Sequence, residues 1–279
     1  MVPRASGRLF VVATPLGNLE DVTVRAVRVL REVQLVACED TRRTATLLKA
    51  HRISTPSTSY FEHNERWKGE RILETLRRGA DVALVSDAGT PGISDPGYRL
   101  VRDARAEGID VIPVPGPSAA VAALSVSGLP TDRFLFVGFL PPKSQARRSS
   151  LQDLAAEPAT LVFYESPVRA LSTLDDMIEV LGDREAFLCR EATKLHEEYL
   201  RGRLSEIKGA LAGRDRVKGE IALVVSGASA EHVRAETTET PEALFARLCA
   251  DGRTRREAVK ETARILGLPA REVYKRVLT

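Results

Sequence analysis

Short apolar, β-branched runs alternate with longer segments of helical periodicity through the first half of the chain. The run Leu9–Ala13 is typical of a buried strand, and Val22–Arg31, which follows it, has apolar residues at helical spacing. This alternation predicts parallel strands that are covered by helices. Ligands bind such sheets at the carboxyl ends of the strands. The other elements predicted in this half are strands at Leu35–Cys38, Pro56–Tyr60, Val82–Val85 and Val111–Val114, and helices at Thr41–Ala50, Asn64–Arg78 and Tyr98–Glu107.

The second half alternates in the same way, so we expect a second α/β unit of the same mode. We expect the first unit over residues 1–116 and the second over 117–230, because Pro115-Gly116-Pro117 interrupts regular structure. Residues 241–279 predict a helix-turn-helix appendage, with two helical patterns separated at Gly267-Leu268-Pro269. The other predictions are strands at Arg133–Phe139, Leu161–Tyr164, Phe187–Arg190 and Ile221–Ser226, apolar or helical segments at Ser118–Ser127 and Val168–Leu181, a basic loop at Pro141–Ser150, and a polar linker at Gly227–Glu239.

The composition is that of a soluble globular protein, since 43% of the 279 residues are hydrophobic and 28% are charged. No stretch approaches the roughly 20 apolar residues of a membrane helix, and the first residues lack the apolar segment of a signal peptide. The three cysteines are far apart in sequence, so they predict neither a disulfide framework nor a metal site. We therefore expect a cytoplasmic protein.

The net charge of +3 is distributed unevenly along the chain. Residues 253–279 hold eight Lys or Arg against three Glu, so this segment carries +5 and the remainder −2. A localised basic excess predicts a polyanionic partner such as a nucleic acid. The alternative is a solvated helix that happens to be basic.

Three segments rich in Gly, Pro and small polar residues follow predicted strands. They are TPLGN after Ala13, SDAGTPGISDPG at Ser86–Gly97, and PGPS, in which Ser118 can cap the next helix. Glycine lets the backbone approach a ligand closely, so three such loops at successive strand ends predict a binding site.

Common catalytic signatures are missing from the sequence. It contains neither GxxxxGK[ST] nor a GxGxxG after a strand, which disfavours nucleotide hydrolysis and ordinary dinucleotide binding. It has no GxSxG, and its four histidines lack metal-ligand spacing.

Seven motifs that occur together and in order resemble the family of ribosomal RNA small subunit methyltransferase I, within the tetrapyrrole methylase superfamily. The resemblance extends from Leu9 to the C-terminal helical segment, and SDAGTPGISDPG is its most specific motif. The motifs are TPLGNLED (14–21), ACEDTR (37–42), SDAGTPGISDPG (86–97), PGPSA (115–119), FVGFLP (136–141), FYESPVR (163–169) and REATKLHEE (190–198).

The resemblance implies two α/β domains with S-adenosylmethionine (SAM) in the cleft between them, and a homodimer. It also implies methylation of the ribose 2′-hydroxyl of a cytidine in the decoding region of 16S ribosomal RNA, on free RNA or on the assembled 30S subunit. ATPLGN and SDAGTP replace the glycine-rich and GGDP-like loops of the tetrapyrrole branch, which disfavours the alternative of a precorrin-type substrate. By motif, the implied SAM contacts are Pro15, Asp87, Ala88, Gly89, Ile93, Ser118, Ala119, Tyr164, Glu165, Gly219 and Ile221.

A ribose hydroxyl is a poor nucleophile at neutral pH, so a general base would assist methyl transfer. Our candidates are Asp40, His63 and Lys194, and the alternative for each is RNA positioning or intramolecular ion pairing. For contacts with RNA phosphates we propose Arg42, Arg190, Arg253, Arg255, Arg256 and Lys260. A non-catalytic RNA-binding protein is the third alternative, for which the sequence offers no positive sign.

Overall fold

The computed structural model describes residues 6–229, 240–266 and 268–278. Its first half contains strands β1 (Arg8–Val12), β2 (Leu35–Cys38), β3 (Ser57–Ser59), β4 (Val82–Val85) and β5 (Asp110–Val114), and helices α1 (Val24–Glu32), α2 (Thr41–Ala50), α3 (Glu65–Arg77) and α4 (Tyr98–Ala106). The five strands are parallel and lie in the order β3-β2-β4-β1-β5. All their carboxyl ends therefore lie along one edge of the sheet.

Helices cover both faces of this sheet, which explains why its strands are almost entirely apolar. In β1, Phe10 and Val12 pack with Leu30 of α1 on one face. Leu9 points to the opposite face, where it packs with Leu76 of α3 and with α4. The predicted parallel unit is confirmed, and the element boundaries differ from the prediction by at most two residues.

The second half forms another five-stranded sheet, with the order β6-β7-β10-β8-β9. The elements of this half are α5 (Ala119–Val126), β6 (Phe134–Phe139), α6 (Ser144–Gln152), β7 (Thr160–Glu165), α7 (Ala170–Leu181), β8 (Glu185–Arg190), β9 (Glu198–Arg203), α8 (Leu204–Ala212) and β10 (Ile221–Val225). Strand β6 is parallel to β7, but β10 is antiparallel to both of its neighbours and β8 is antiparallel to β9. The sheet is therefore mixed, and the expectation of a second unit in the same parallel mode is wrong.

Three elements of this half differ from the sequence expectations. The basic segment Pro141–Ser150 was expected to be a loop, but it contains most of α6, because Arg147 turns inward and pairs with the buried carboxylate of Asp176. Strand β9 and helix α8 were not predicted at all. Strand β9 alternates between partly buried and exposed residues, as an edge strand does.

The C-terminal region has three helices where two helical patterns were expected: α9 (Pro241–Ala250), α10 (Arg255–Leu266) and α11 (Ala270–Leu278). The expected first pattern is divided at Gly252, whose φ of +88° ends helical geometry. Leu244 and Leu248 pack on Ala258 in one small core, and Val259 packs on Val273 in another. The predicted polar linker lies outside the described residues from 230 onward.

The division of the chain at Pro115–Pro117 stays a prediction. Helix α5, which begins directly after it, packs against β7, β8 and β10 of the second sheet. None of the helices in the described ranges is long and apolar enough to span a membrane.

Candidate functional site

A cavity of about 360 Å³ lies where the carboxyl edge of the first sheet meets the second sheet. The segments after β1, β2 and β4 and the start of α5 form one side. The ends of β6, β7 and β8 and the start of β10 contribute to the other side. The cavity thus lies where ligands bind α/β sheets of this kind.

Two of the loops that were singled out in the sequence are joined by backbone hydrogen bonds. The Thr14 amide donates to the Gly89 carbonyl at 2.8 Å, and the Gly89 amide donates to the Thr14 carbonyl at 3.0 Å. The Thr14 hydroxyl also donates to the Ser86 carbonyl at 3.1 Å. Gly89 has a φ of +80°, which favours glycine. These bonds fix the backbone of Ala88–Gly89 at the cavity wall.

Tyr164 connects the second sheet to the start of α5. Its hydroxyl oxygen accepts a hydrogen bond from the Ala120 amide at 3.1 Å, and its ring makes edge contacts with Phe136 and Phe139. Burial raises the pKa of this phenol, so it stays protonated. Ser118 occupies the N-cap position of α5, but its side chain makes no capping hydrogen bond, which corrects the expected cap.

Glu165 lines the cavity, yet its carboxylate is committed to the protein. One oxygen accepts from the Ser166 amide at 2.6 Å and pairs with Arg169 at 2.7 Å. The other oxygen accepts from the Thr173 hydroxyl at 2.6 Å. The side chain therefore orders the segment after β7.

Other carboxylates face the same cavity. Asp87 accepts the Asp40 amide at 2.9 Å and pairs with Arg43 at 3.4 Å. Burial and the charge of Asp87 raise the pKa of Glu39 above its ordinary value, more than Arg43 lowers it. Burial, followed by the charge of Glu39, raises the pKa of Asp95 to about 6. The cavity is therefore acidic at one part of its wall.

Nine of the eleven residues predicted to contact SAM line this cavity, although their contact with a ligand stays a prediction. Pro15 and Gly219 do not line it, but their neighbours Leu16 and Glu220 do. A Cβ on Gly219 would lie 2.2 Å from the Glu191 side chain, so this position has no room for a larger residue. The nine are Asp87, Ala88, Gly89, Ile93, Ser118, Ala119, Tyr164, Glu165 and Ile221.

Sequence reasoning missed Glu39 as a site residue, and it interpreted Asp95 only as a polar, loop-ordering group of its segment and not as a catalytic residue. Glu39 directly follows β2, and Asp95 belongs to a loop that was recognised as a binding segment. The position after a strand is the signal that could have identified Glu39. For Asp95 the motif was recognised, but the direction of the side chain was not.

The three candidate bases lie outside the residues that line the cavity. Hydrogen bonds from Arg42 lower the pKa of Asp40 to about 2, and Asp40 caps α2 through the Arg42 amide. His63 is exposed and makes an edge contact with Phe61, with ring centroids 6.3 Å apart. Lys194 pairs with Glu191 at 2.8 Å and with Glu220. These positions do not favour proton abstraction by any of the three.

The candidate RNA contacts divide into two groups. Arg42 is held by Asp40 at 2.7 Å, and Arg190 pairs with Glu198 at 2.7 Å. In the C-terminal region the four candidate cations, which lie in α10 and directly before it, are all exposed: Arg253, Arg255, Arg256 and Lys260. Within the described ranges, no group of three or more His, Cys, Asp or Glu could hold a metal ion.

Known proteins are similar to this chain in sequence and in fold. Residues 8–208 match the family of Tetrapyrrole (Corrin/Porphyrin) Methylases. A protein of Halalkalibacterium halodurans named ribosomal RNA small subunit methyltransferase I is 48% identical over 96% of this chain and 93% of its own length. One of the same name from Pseudomonas aeruginosa is 47% identical over 98% of both chains.

Solved structures share the fold at low identity. Diphthine synthase superposes with a TM-score of 0.60 at 17% identity, over 79% of this chain and 90% of its own. Uroporphyrin-III C-methyltransferase of Thermus thermophilus, complexed with S-adenosylhomocysteine, gives 0.56 at 23% identity, over 78% of this chain and 97% of its own. The chain belongs to the tetrapyrrole (corrin/porphyrin) methylase family, and within it to the proteins named ribosomal RNA small subunit methyltransferase I.

Proposed function

We propose that this chain transfers the methyl group of SAM to the ribose 2′-hydroxyl of a cytidine in the decoding region of 16S ribosomal RNA. The observation that carries the proposal is identity of 47–48% over nearly the whole chain to proteins named for methylation of small-subunit ribosomal RNA. The choice of the 2′-hydroxyl, the cytidine and the decoding region rests on the family resemblance of the motifs.

The chemistry of the cavity fits SAM. Glu39 and Asp87 suit its positively charged sulfonium and ammonium groups, because opposite charges attract strongly where water is partly excluded. Ile93 and Phe139 offer an apolar wall for the adenine ring. When bound, SAM supplies an activated methyl group on sulfur.

The chain's own residues then have to hold the acceptor and the donor in line. The hydrogen-bonded pair of loops at Thr14 and Gly89 provides rigid backbone on one side. Tyr164 fixes the start of α5 on the other side. A rigid wall of this kind restricts the motion of the bound reactants. This restriction supplies much of the rate enhancement in a transfer that depends on alignment.

A precorrin-type substrate is not favoured. The structural relatives that act on uroporphyrin share only 20–24% identity with this chain. In addition, the exposed cations of the C-terminal helices suit a polyanion, whereas a small tetrapyrrole has no need of them. An RNA substrate also implies a cytoplasmic enzyme.

Exposed apolar side chains of α5 and β6 support the proposed homodimer. Val121 and Val126 of α5 are 57% and 58% exposed, and Phe134 of β6 is 47% exposed. Exposed apolar side chains mark protein–protein interfaces where they form a contiguous patch. The pair of substitutions Val121→Lys and Phe134→Lys should convert a dimer into a monomer by light scattering coupled to size exclusion. A chain that is monomeric before substitution would contradict the homodimer.

The substrate assignment is tested with SAM labelled on the methyl group. The protein is incubated separately with 30S subunits, with naked 16S RNA and with a precorrin. We expect label in RNA, at a cytidine whose 3′-phosphodiester resists alkaline hydrolysis, because a 2′-O-methyl group blocks the attacking oxygen. Label confined to the precorrin, or in no acceptor at all, contradicts the proposal. Comparison of the 30S and naked-RNA samples shows which form is the substrate.

A further inference from the structure

Asp95 is held at the cavity by a short, closed loop. The loop begins and ends at Gly92 and Gly97, which have φ values of +80° and +141°. A Cβ on Gly97 would lie 3.3 Å from the Gly92 nitrogen, so the two ends of the loop nearly touch. Pro96 restricts the backbone of Asp95 to extended geometry. The aspartate therefore occupies a defined position on the cavity wall.

The second sheet fixes the same loop from the other side. Ser94 has a φ of +60°, which costs a non-glycine residue conformational energy. Its hydroxyl lies against β6, where a Cβ on Gly138 would approach it to 2.9 Å. Backbone strain of this type persists only where surrounding contacts enforce it, and it often occurs at functional sites.

Asp95 differs from the other carboxylates around the cavity in its ion pairing. Asp87 pairs with Arg43, Glu165 with Arg169, and Glu220 with Lys194. Among the described residues, Asp95 has no ion pair, and the lowering of its pKa by the Ser86 side chain is outweighed by burial and the charge of Glu39. Its carboxylate is therefore free to accept a proton.

The titratable groups that interact electrostatically with Asp95 come from several segments around the cavity. They are Glu39 after β2, Asp87 in the same loop, Glu220 before β10 and Tyr164 of β7. Three of these four are carboxylic acids, and the two cations nearest to them are already paired with Asp87 and Glu220. Burial together with these negative charges raises the pKa of Asp95 to about 6. A carboxylate in this range is a stronger base than an ordinary one and is still ionised at neutral pH.

We infer that Asp95 is the general base that accepts the proton of the ribose 2′-hydroxyl. The inference rests on the proposed function. As the hydroxyl oxygen forms its bond to the methyl carbon, the carbon–sulfur bond breaks and its electron pair stays on sulfur. The hydroxyl proton passes to the Asp95 carboxylate, and water takes it up after product release. Atoms and charge balance, since the positive charge of the sulfonium leaves with the proton.

The test is the variant Asp95→Asn, which keeps the shape of the side chain and removes its basicity. With donor and RNA both saturating, we expect kcat to fall by about 10²- to 10⁴-fold, the usual contribution of a general base. In the unsubstituted enzyme kcat should rise with pH through a value at or below about 6, because only the ionised form of Asp95 accepts a proton and the bound sulfonium lowers its pKa. The variant should lose this dependence, and Asp95→Glu should recover part of the rate.

Two measurements keep the test decisive. The first is the Kd for SAM, measured by calorimetry, which should change little in Asp95→Asn. The second is kcat of the control variant Asp110→Asn, at an exposed position at the amino end of β5, which should be unchanged. If Asp95→Asn weakens SAM binding while kcat at saturation is preserved, Asp95 binds the donor and the inference is overturned. An unchanged pH dependence overturns it as well. Failure of the proposed function is a separate result, because it appears as the unsubstituted enzyme methylating no RNA.

Discussion

Lys194 lies where the loops after β1 and β8 meet, and its ion-pair partners restrict the roles that it can have. Its ammonium pairs with Glu191 and Glu220. Its aliphatic part packs on Gly17, where a Cβ would lie 2.2 Å from the lysine Cγ. The Asn18 amide donates to the Thr193 hydroxyl beside it. Lys194 therefore connects the two sheets beside the cavity, which is a positioning role.

Lys194→Met should keep the packing and remove the ion pairs. The pairs are partly exposed, so their loss costs on the order of 1 kcal/mol or less. We expect the Kd for SAM to rise by at most about fivefold, because 1.4 kcal/mol corresponds to a factor of ten. The turnover rate at saturating SAM and RNA should stay within about twofold. If turnover instead falls by roughly a hundredfold or more, Lys194 is a catalytic group.

Tyr164→Phe removes the oxygen that accepts the Ala120 amide and keeps the ring. A hydrogen bond of this type contributes about 0.5–1.5 kcal/mol. The start of α5 then loses its fixed position, and we expect SAM to bind about two- to tenfold more weakly in calorimetry. The matched control is Tyr199→Phe on the edge strand β9, which should leave the Kd unchanged. Equal weakening in both variants contradicts the role of Tyr164.

At the scale of single residues, the sequence could predict the loops of the site more readily than the direction of its side chains. Glu39 and Asp40 are adjacent and chemically similar, yet Glu39 faces the cavity while Asp40 caps α2 and pairs with Arg42. Only the three-dimensional neighbours distinguish the two carboxylates. The same is true of Lys194. One of its acidic partners is distant in the sequence, and the sequence alone does not distinguish the other from neighbouring acidic residues.

Helix α6 shows how one buried ion pair can define an element that its sequence does not predict. Arg147 and Asp176 have side chains only 3% and 4% exposed and are 2.6 Å apart. Ser144 and Arg148 also donate to the same carboxylate. Burial opposes ionisation of Asp176, but these bonds outweigh it, so its pKa lies below the ordinary value. The sequence of α6 is therefore largely polar, although one face of the helix is buried.

Asp176→Ala should lower the free energy of unfolding by about 3–5 kcal/mol, because it leaves the Arg147 guanidinium buried without its partner. The measurement is urea denaturation at pH 7. The neighbouring variant Asp175→Ala is the control, since Asp175 is 53% exposed in its pair with Lys208 and should cost about 1 kcal/mol or less. Similar losses for both variants contradict the argument.

The pH dependence of stability follows from the same pair. A carboxylate with a lowered pKa in the folded state stabilises the fold above its unfolded pKa of about 3.9. That contribution is lost as the pH falls below about 4 and through the folded value. The stability difference between the unsubstituted protein and Asp176→Ala should therefore be full at pH 7 and shrink below about pH 4. A difference that is constant down to pH 2 excludes the linkage.

At the scale of elements, the sequence could not predict the direction of the strands in the second sheet. Strand β10 is apolar throughout, and β7 is apolar over Leu161–Phe163, because both faces of the sheet are covered. An apolar run has the same appearance in a parallel and in an antiparallel sheet. The alternation of elements predicted the α/β class correctly, whereas the mixed topology depends on pairings between distant segments.

At the scale of the whole molecule, the three C-terminal helices lie beyond residue 208, where the match to the methylase family ends. Because α9, α10 and α11 have small cores of their own, they suit a separate function, such as the proposed binding of RNA.

Replacement of Arg253, Arg255, Arg256 and Lys260 by Gln should weaken RNA binding and leave the Kd for SAM unchanged. All four side chains are exposed, so their loss should not disturb the helix cores. Each lost phosphate contact lowers the slope of log K against log salt by about 0.7 on single strands to about 0.9 on duplex. We expect the slope, measured by fluorescence anisotropy on 16S RNA, to fall by about one to three. The charge-matched control replaces four exposed arginines of the first unit: Arg25, Arg28, Arg31 and Arg78. If both quadruple variants lose the same affinity, the effect comes from net charge alone, and if neither does, the C-terminal helices serve packing or assembly.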